Sequence, residues 1–599
     1  MIITLDFETY FDDEYSLKKM TTEAYVRDPR FKCHGFSAKM NAYPAQWYPP
    51  EELRRPYMRA QLERSAMLAH HAQFDGLILW HHFGIRPALW LDTLSMARIA
   101  LPHNRHSLDA LSKHFGLPGK QHQHLADVKG VRHPNANMLA GLGSMSCDDA
   151  DKTYQIFQQI KDYIPREEFL TIDTTIRMFT EPVLRLDAPK LTKYHAEVVK
   201  DKKDALQDLG LTKTDLGQDE TVAGKFRELG VEPETKVTAK GNVKYAFAKT
   251  DQFMRELTES EDDKVATLAL ARLGIKSTLA ETRCERLLSM STRGALSVYL
   301  RYAGAHTTRW SGGDSLNWQN FTRIEKDGRP GEIRGSICAP EGYKLVVADS
   351  SQVECRGVNW LAGQEDILQI FRDKGDPYVN QASRFYGRQI TKADKLERHL
   401  GKTIELGCGF GMGASKFQDT CRRGPLGGAP IYLEAQEAEA AVNVYRSTHK
   451  RVVNMWYQTA EAALDILASG GSMDWGPLGI EQGVVWLPNG LPLWYDNPTV
   501  DENGDRYFTV RGRRTKMYGG KLVENVVQAF CRVILSQAML RIRERYRIVT
   551  CTHDEIVAVA GVDDTNALEY MLTELRRPPV WAVGLPLDAE GAEGERYSK

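Results

Sequence analysis

Apolar positions fall into two kinds of pattern that divide the chain. The opening IITLDFE is apolar and β-like, whereas AMLAHHAQFDGLILWHHFG and SLDALSKHFG carry recurring apolar faces and read as helices. This predicts an α/β start. From about Glu181 the texture shifts to long charged helical stretches, KYHAEVVKDKKDALQDLG and EDDKVATLALARLGIKSTLAETRCERLLSM. Two antiparallel helices with a polar insertion fit this pattern, and the insertion TKVTAKGNVKYAFAKTD has hairpin chemistry around Gly241 and Asn242. Past residue 300 strand candidates return as YKLVVADS, GVVWLPNG, LPLWYD and RIVTCTHDEIVAVAG, interrupted by a helical block from about 361 to 470.

Composition adds bounds to this outline. A chain of 599 residues has the length of about four domains. With 78 Lys+Arg against 79 Asp+Glu, a polyanionic partner must be held by local basic surfaces and not by overall charge. The nine cysteines show no metal-ligand spacing and no disulfide framework, which points to a reducing compartment, the cytoplasm. No apolar run reaches the ~18 residues of a membrane span, and MIITLDFETY begins on a strand-like segment in place of a signal peptide.

Two groups of acids stand out. Asp6 and Glu8 are two apart on a predicted strand, so both leave the same face and can share a divalent ion. Asp75 and Asp149, which each follow or open a helical segment, can complete a carboxylate cage of hard oxygen ligands suited to Mg²⁺ or Mn²⁺. The order DFET, HxxxFD and DxxxT resembles the three exonuclease motifs of the DEDD proofreading family, an RNase H-like fold. The resemblance implies Asp6, Glu8, Asp75 and Asp149 as catalytic metal ligands holding two ions. It departs from the family at Met145, where Tyr usually orients the attacking water, and at His71, where Asn is usual. A thioether donates no hydrogen bond.

In the second group, YKLVVADSSQVE is an apolar strand ending at Asp349, and IVTCTHDEIVAVA is a hairpin-like pair of runs centred on His553, Asp554 and Glu555. Adjacent strands bring Asp349 and Asp554 together, and two carboxylates pressed together call for divalent cations. Arg398, Lys402, Leu406 and Phe410 recur every four residues, so on a helix they form one stripe grading from cationic to apolar. The glycines at 407, 409, 411 and 413 look like a phosphate loop, but no strand leads into them and Lys416 lacks the G-K-[ST] context. An ATPase or dehydrogenase reading is correspondingly weak.

These segments resemble motifs A (DSSQVE), B (RHLGKTIELGCGFG) and C (THDE) of family A DNA polymerases, closest to phage-type members. The resemblance extends to HTTRWSG and NWQN, similar to TGRLSS and NLQN, and to YGGKLVENVVQAF. It implies that Asp349, Ser350 and Asp554 hold two Mg²⁺ ions, with Glu555 tuning the site as a catalytic acid. It implies further that Glu354 is the acid excluding a ribose 2′-hydroxyl, and that Arg398 and Lys402 grip the triphosphate. Leu406 and Phe410 would meet sugar and base, and Arg309, Gln319, Asn320, Gln528 and His553 would touch DNA. Leucine at 406, where Phe or Tyr is usual, implies discrimination against dideoxynucleotides. The implied plan is α/β and α+β multidomain: an RNase H-like exonuclease domain (1–180), helical thumb (181–300), first palm part (301–360), fingers (361–470) and second palm part (471–599). Primer-template DNA, dNTPs and possible replication accessory proteins are the implied partners, with no membrane. The alternatives are a single-subunit RNA polymerase, against which Glu354 argues, a nuclease whose polymerase half chiefly binds DNA, and a structural DNA-binding protein.

Overall fold

The computed structural model describes the chain except residues 120–123, 238–240, 249–250, 259, 261, 277–278, 324–330, 425–429 and 598–599. Strands β1 (Ile2–Thr9), β2 (Cys33–Met40), β3 (Gln46–Tyr48), β4 (Ala66–Ala69) and β5 (Leu89–Asp92) form one sheet in the order β3-β2-β1-β4-β5. β2 runs antiparallel to β1, whereas β4 and β5 continue the sheet in parallel. Period-two alternation sends Ile3, Leu5 and Phe7 into the core and leaves Asp6 and Glu8 half-buried on the other face.

AMLAHHAQFDGLILWHHFG is not one helix. Its first four residues are β4, and α1 (Ala72–Phe83) begins only after His71, whose φ is 76°. Flanked by β1 and β5, the apolar start satisfies its backbone in the sheet. The Asp92 carboxylate accepts from the amides of His71 and Ala72 at 2.8 and 3.1 Å, which fixes the turn. Helix α2 (Ala136–Ile160) then lies across β1 and β2, and α3 (Arg166–Thr180) packs on α1 and β5.

The next two long helices, α4 (Ala188–Leu209) and α5 (Leu279–Ser291), pack together as expected. The segment between them is not merely polar: its helices close a separate small core around Leu216, Val222, Phe226, Met254 and Leu268. The last of the charged stretches forms two helices, Asp263–Lys276 and α5. The expected hairpin pairs Thr235–Val237 with Val243–Tyr245 and turns at Gly241, with φ +80°; residues 238–240 of the same turn lie outside the described set.

A second sheet consists of β6 (Tyr343–Ser350), β7 (Arg547–Thr552), β8 (Glu555–Gly561) and β9 (Ala589–Gly594), ordered β7-β8-β6-β9 with every neighbour antiparallel. Leu345 to Ala348 are buried, the mark of a strand covered on both sides. The helical block after β6 is present: α6 (Val353–Ala362), α7 (Pro377–Tyr386), α8 (Lys395–Cys408) and α9 (Ala435–Thr448) are its members used below. Two small antiparallel sheets between Ser472 and Met517 follow, and then the long α10 (Gly519–Ile542). The architecture is thus multidomain, of α/β and α+β units.

Buried ion pairs along α3 join the first sheet to the second. Arg532 of α10 donates to Glu168 at 2.5 Å, and Tyr302 and Asn489 donate to the same carboxylate at 2.6 and 2.9 Å. Asp173 accepts from Arg177 at 2.9 Å and from Arg543 at 2.8 Å. The nine cysteines are free thiols. Among the described residues, no helix is long and apolar enough to cross a membrane.

Candidate active sites

β6 lies between β8 and β9, and its register sets Asp349 opposite both Glu555 and Glu590. Asp554 sits in the tight turn from β7 to β8, where His553 takes the left-handed φ of +55° and the Ser350 amide donates to the Asp554 carbonyl at 2.9 Å. The strand pairing expected of the two acidic motifs is therefore present. Burial, and then the negative charge of Asp349, push the Asp554 carboxyl up to about 7.

Glu555 is directed elsewhere. Its side chain is wholly buried, with Oε2 accepting from Arg334 at 2.7 Å and from Arg323 at 3.0 Å, and Oε1 accepting from Tyr597 at 2.5 Å. The Arg334 guanidinium lies 3.8 Å over the Tyr597 ring. Both arginines bond Oε2 and Tyr597 bonds Oε1, so the Glu555 carboxylate is engaged on both oxygens at the sheet edge beside Asp349. Arg323 also reaches Asp349, so one guanidinium serves both acids.

Helix α8 supplies the other wall. Arg398 donates to Asp376 at 2.7 Å, the residue whose carboxylate also caps α7 through the amides of Tyr378 and Val379. Burial, and then Arg398 and Arg323, depress the Lys402 amine, while Asp554 and Asp349 pull it back up. Leu406 packs toward Cys355, Ile367 and Phe371. Glu354, in the first turn of α6, is ion-paired with Arg309, which ties together two residues expected to act separately. A cleft of about 680 Å³ gathers Asp349, Asp554, Glu354, Arg398, Lys402 and Leu406, with Arg309, Gln319 and His553 at its edge.

The structure departs from the expected stripe at its end. α8 stops at Cys408, the chain turns at Gly411 with φ +82°, and a new helix begins at Ala414, so Phe410 lies beyond α8 and outside the cleft lining. Gly411 supplies the left-handed turn, and α10 approaches it at backbone level: a Cβ on Gly520 would stand 2.5 Å from the Phe410 carbonyl. Gln528, on α10, accepts from Thr307 at 3.5 Å away from the cleft lining, and Asn320 is exposed with its carbonyl accepting from Arg283 at 3.0 Å. Ser350 is buried beneath the turn, also outside that lining.

The N-terminal acids form a looser group. Asp75 accepts from the Phe7 amide at 3.2 Å, and burial followed by the charge of Asp6 raises its carboxyl well above the usual range. Asp6 in turn accepts from Ser146 Oγ at 2.8 Å, on the helix that carries the buried Asp149 one turn later. Glu8 shares the β1 face with Asp6. Met145 is 1 % exposed and offers no donor. His71 contacts the Tyr299 hydroxyl at 2.9 Å. Among the described residues, no three acid, histidine or cysteine side chains are closed into a finished metal cage.

Residues 196–466 match the sequence profile described as DNA polymerase family A, a stretch that takes in Asp349, Glu354 and α8. Over that stretch the chain is similar to DNA polymerase family A. A DNA polymerase of Bacillus phage SP02 is 30% identical over 293 residues, covering 45% of this chain and 43% of the relative. DNA polymerase I of Pseudomonas aeruginosa is 26% identical over 443 residues, covering 69% of this chain and 46% of the relative. The chain thus spans less than half the length of these relatives. In fold, it is similar to the POL domain of Pol1 from M. smegmatis in complex with DNA primer-template and dNTP, with a TM-score of 0.70 at 16% identity, over 99% of this chain and 95% of that one. The family profile ends before the turn carrying Asp554, which the sheet register alone brings to Asp349.

Spacing did not reveal Arg323, Arg334, Asp376, Glu590 or Tyr597, because each enters through a partner far away in sequence. Gly401 had a readable signal, a glycine inside a strong helix. A Cβ there would stand 2.1 Å from the Tyr378 carbonyl, so α7 and α8 touch at backbone level.

Proposed function

We propose that the chain is a template-directed DNA polymerase that adds dNTPs to a primer 3′ end, with a 3′→5′ exonuclease in residues 1–180, serving phage-type replication in a host cytoplasm. The remaining ranges are read as thumb (181–300), palm (301–360 and 471–599) and fingers (361–470). One observation carries the reading: a single cleft joins two facing carboxylates, Asp349 and Asp554, to two cations of one helix, Arg398 and Lys402, across about 200 residues of chain.

The donor set fits Mg²⁺. Two acids of like charge in a desolvated turn, one with a raised carboxyl, are what a hard divalent ion relieves. Asp349 and Asp554 would hold the ions, which when bound lower the pKa of the primer 3′-hydroxyl and neutralise the triphosphate for in-line displacement of pyrophosphate. Lys402 and Arg398 face the cleft as the grip for the outer phosphates. Glu354, ion-paired with Arg309 in the same cleft, is the acid read as excluding a ribose 2′-hydroxyl. Asp6, Glu8, Asp75 and Asp149 would hold the ions of the exonuclease site, with Ser146 orienting Asp6. Primer-template DNA and dNTP, which the M. smegmatis protein holds in its complex, are the proposed ligands here.

The test is a labelled primer on a longer template with Mg²⁺. Lengthening with four dNTPs and shortening without them is the expected result; no lengthening contradicts the polymerase reading.

A further inference from the structure

The last turn of α8 is fastened on its buried side by groups that the proposed chemistry leaves unused. Glu405 falls between Lys402 and Leu406 in sequence, yet its side chain is 1% exposed, with Oε1 3.2 Å from Nε2 of the fully buried His449. The two atoms stand within ion-pair distance in a dry environment, without hydrogen-bond alignment between them. The other oxygen, Oε2, meets Cys355 Sγ at 3.9 Å, on the residue after Glu354. His449 is itself held: Nδ1 lies 3.2 Å from the Tyr445 carbonyl and 3.0 Å from Thr448 Oγ1.

A second fastening lies four residues on. The Tyr445 ring stacks on His449 at 4.0 Å and 6°, and Trp456 lies parallel to Tyr445 at 6.3 Å and 9°. Trp456 belongs to a π-helical turn, Met455–Thr459, and its Nε1 donates to the Gly409 carbonyl at 3.1 Å. One aromatic stack thus grips α8 at Glu405 and just beyond its end at Gly409. Successive residues of a helix turn by about 100°, so fixing the direction of residue 405 fixes those of 402 and 406.

We propose that Glu405 and His449 are positioning residues whose buried pairing sets the rotation of α8, and so presents Lys402 and Leu406 to the incoming nucleotide. This inference rests on the polymerase reading above. The experiment measures single-nucleotide incorporation on a primer-template by wild type, Glu405→Ala, Glu405→Gln, His449→Ala and the double alanine variant. Glu405→Ala is expected to raise the KM for dNTP about tenfold, with kcat changed less than about threefold. Glu405→Gln keeps an oxygen toward His449 and is expected to restore KM to within about threefold of wild type; the double variant should be no worse than either single one. KM unchanged in Glu405→Ala, or Gln as damaging as Ala, overturns the inference. Should Glu405→Ala fail to fold, His449→Gln is read by the same criterion. Wild type that extends no primer overturns the polymerase reading as well, whereas active wild type with unmoved variant KM overturns the anchor alone.

Discussion

The raised Asp554 carboxyl predicts how the proposed polymerase depends on pH and metal together. Its value moves from 3.8 to about 7, chiefly through burial and then through Asp349. A shift of about three units is on the order of 4 kcal/mol disfavouring the ionised form in the metal-free protein. The direction follows from linkage: between roughly pH 4 and pH 7 the folded chain keeps a proton that the unfolded chain has released. The metal-free protein therefore loses stability as pH rises through that window, and Mg²⁺ restores it by displacing the proton. Below about pH 7 metal and proton compete, so the Mg²⁺ concentration for half-maximal extension should rise about fivefold from pH 7 to pH 6 and stay nearly flat above pH 7.5. The assay is single-nucleotide extension titrated with Mg²⁺ at each pH, with primer-template affinity measured in parallel. A Mg²⁺ requirement that is the same at pH 6 and pH 7 refutes the reasoning.

Further outcomes follow from neighbouring contacts. Arg323, whose charge holds the Asp554 carboxyl down, is 41% exposed, so Arg323→Ala should move the same Mg²⁺–pH profile upward by less than about one unit; an unmoved or downward-shifted profile counts against its place in the cleft. Glu168→Ala strands Arg532 at 1% exposure and leaves Tyr302 and Asn489 without their acceptor, a loss of about 3–5 kcal/mol, read as a lowered Tm and faster proteolysis. A Tm equal to that of wild type sinks that assignment. Leu406→Tyr supplies a hydroxyl where leucine has none and should raise dideoxynucleotide incorporation in direct competition with dNTP. Equal use of both nucleotides by wild type contradicts the role given to Leu406.

The acids at strand ends were legible because strand pairing has few solutions. Once YKLVVADS and the THDE hairpin were read as neighbours, Asp349 and Asp554 had to meet. The stripe of α8 was legible as far as its helix ran, from Arg398 to Leu406, and failed at Phe410, where the chain has left the helix to turn at Gly411. The strand at 66–69 was misread because four apolar residues next to an amphipathic helix share its pattern; only their parallel partners separate the two. The second small core between α4 and α5 was hidden because its apolar residues are spread over several short helices among charged ones. Glu555 was singled out by its adjacency to Asp554, whereas Arg334 and Tyr597, which hold its carboxylate, are far away in sequence and gave no signal. Glu405 gave no signal, since a glutamate in a charged helix reads as a solvated face until His449 closes over it.

The central claim is that the two acid groups perform opposite reactions on one primer strand. It is tested most directly by following a labelled primer-template with Mg²⁺, with and without dNTPs, for wild type, Asp554→Ala and Asp6→Ala. Asp554→Ala is expected to shorten the primer but not lengthen it, and Asp6→Ala to lengthen it but not shorten it. Extension that survives Asp554→Ala, or shortening that survives Asp6→Ala, contradicts the claim.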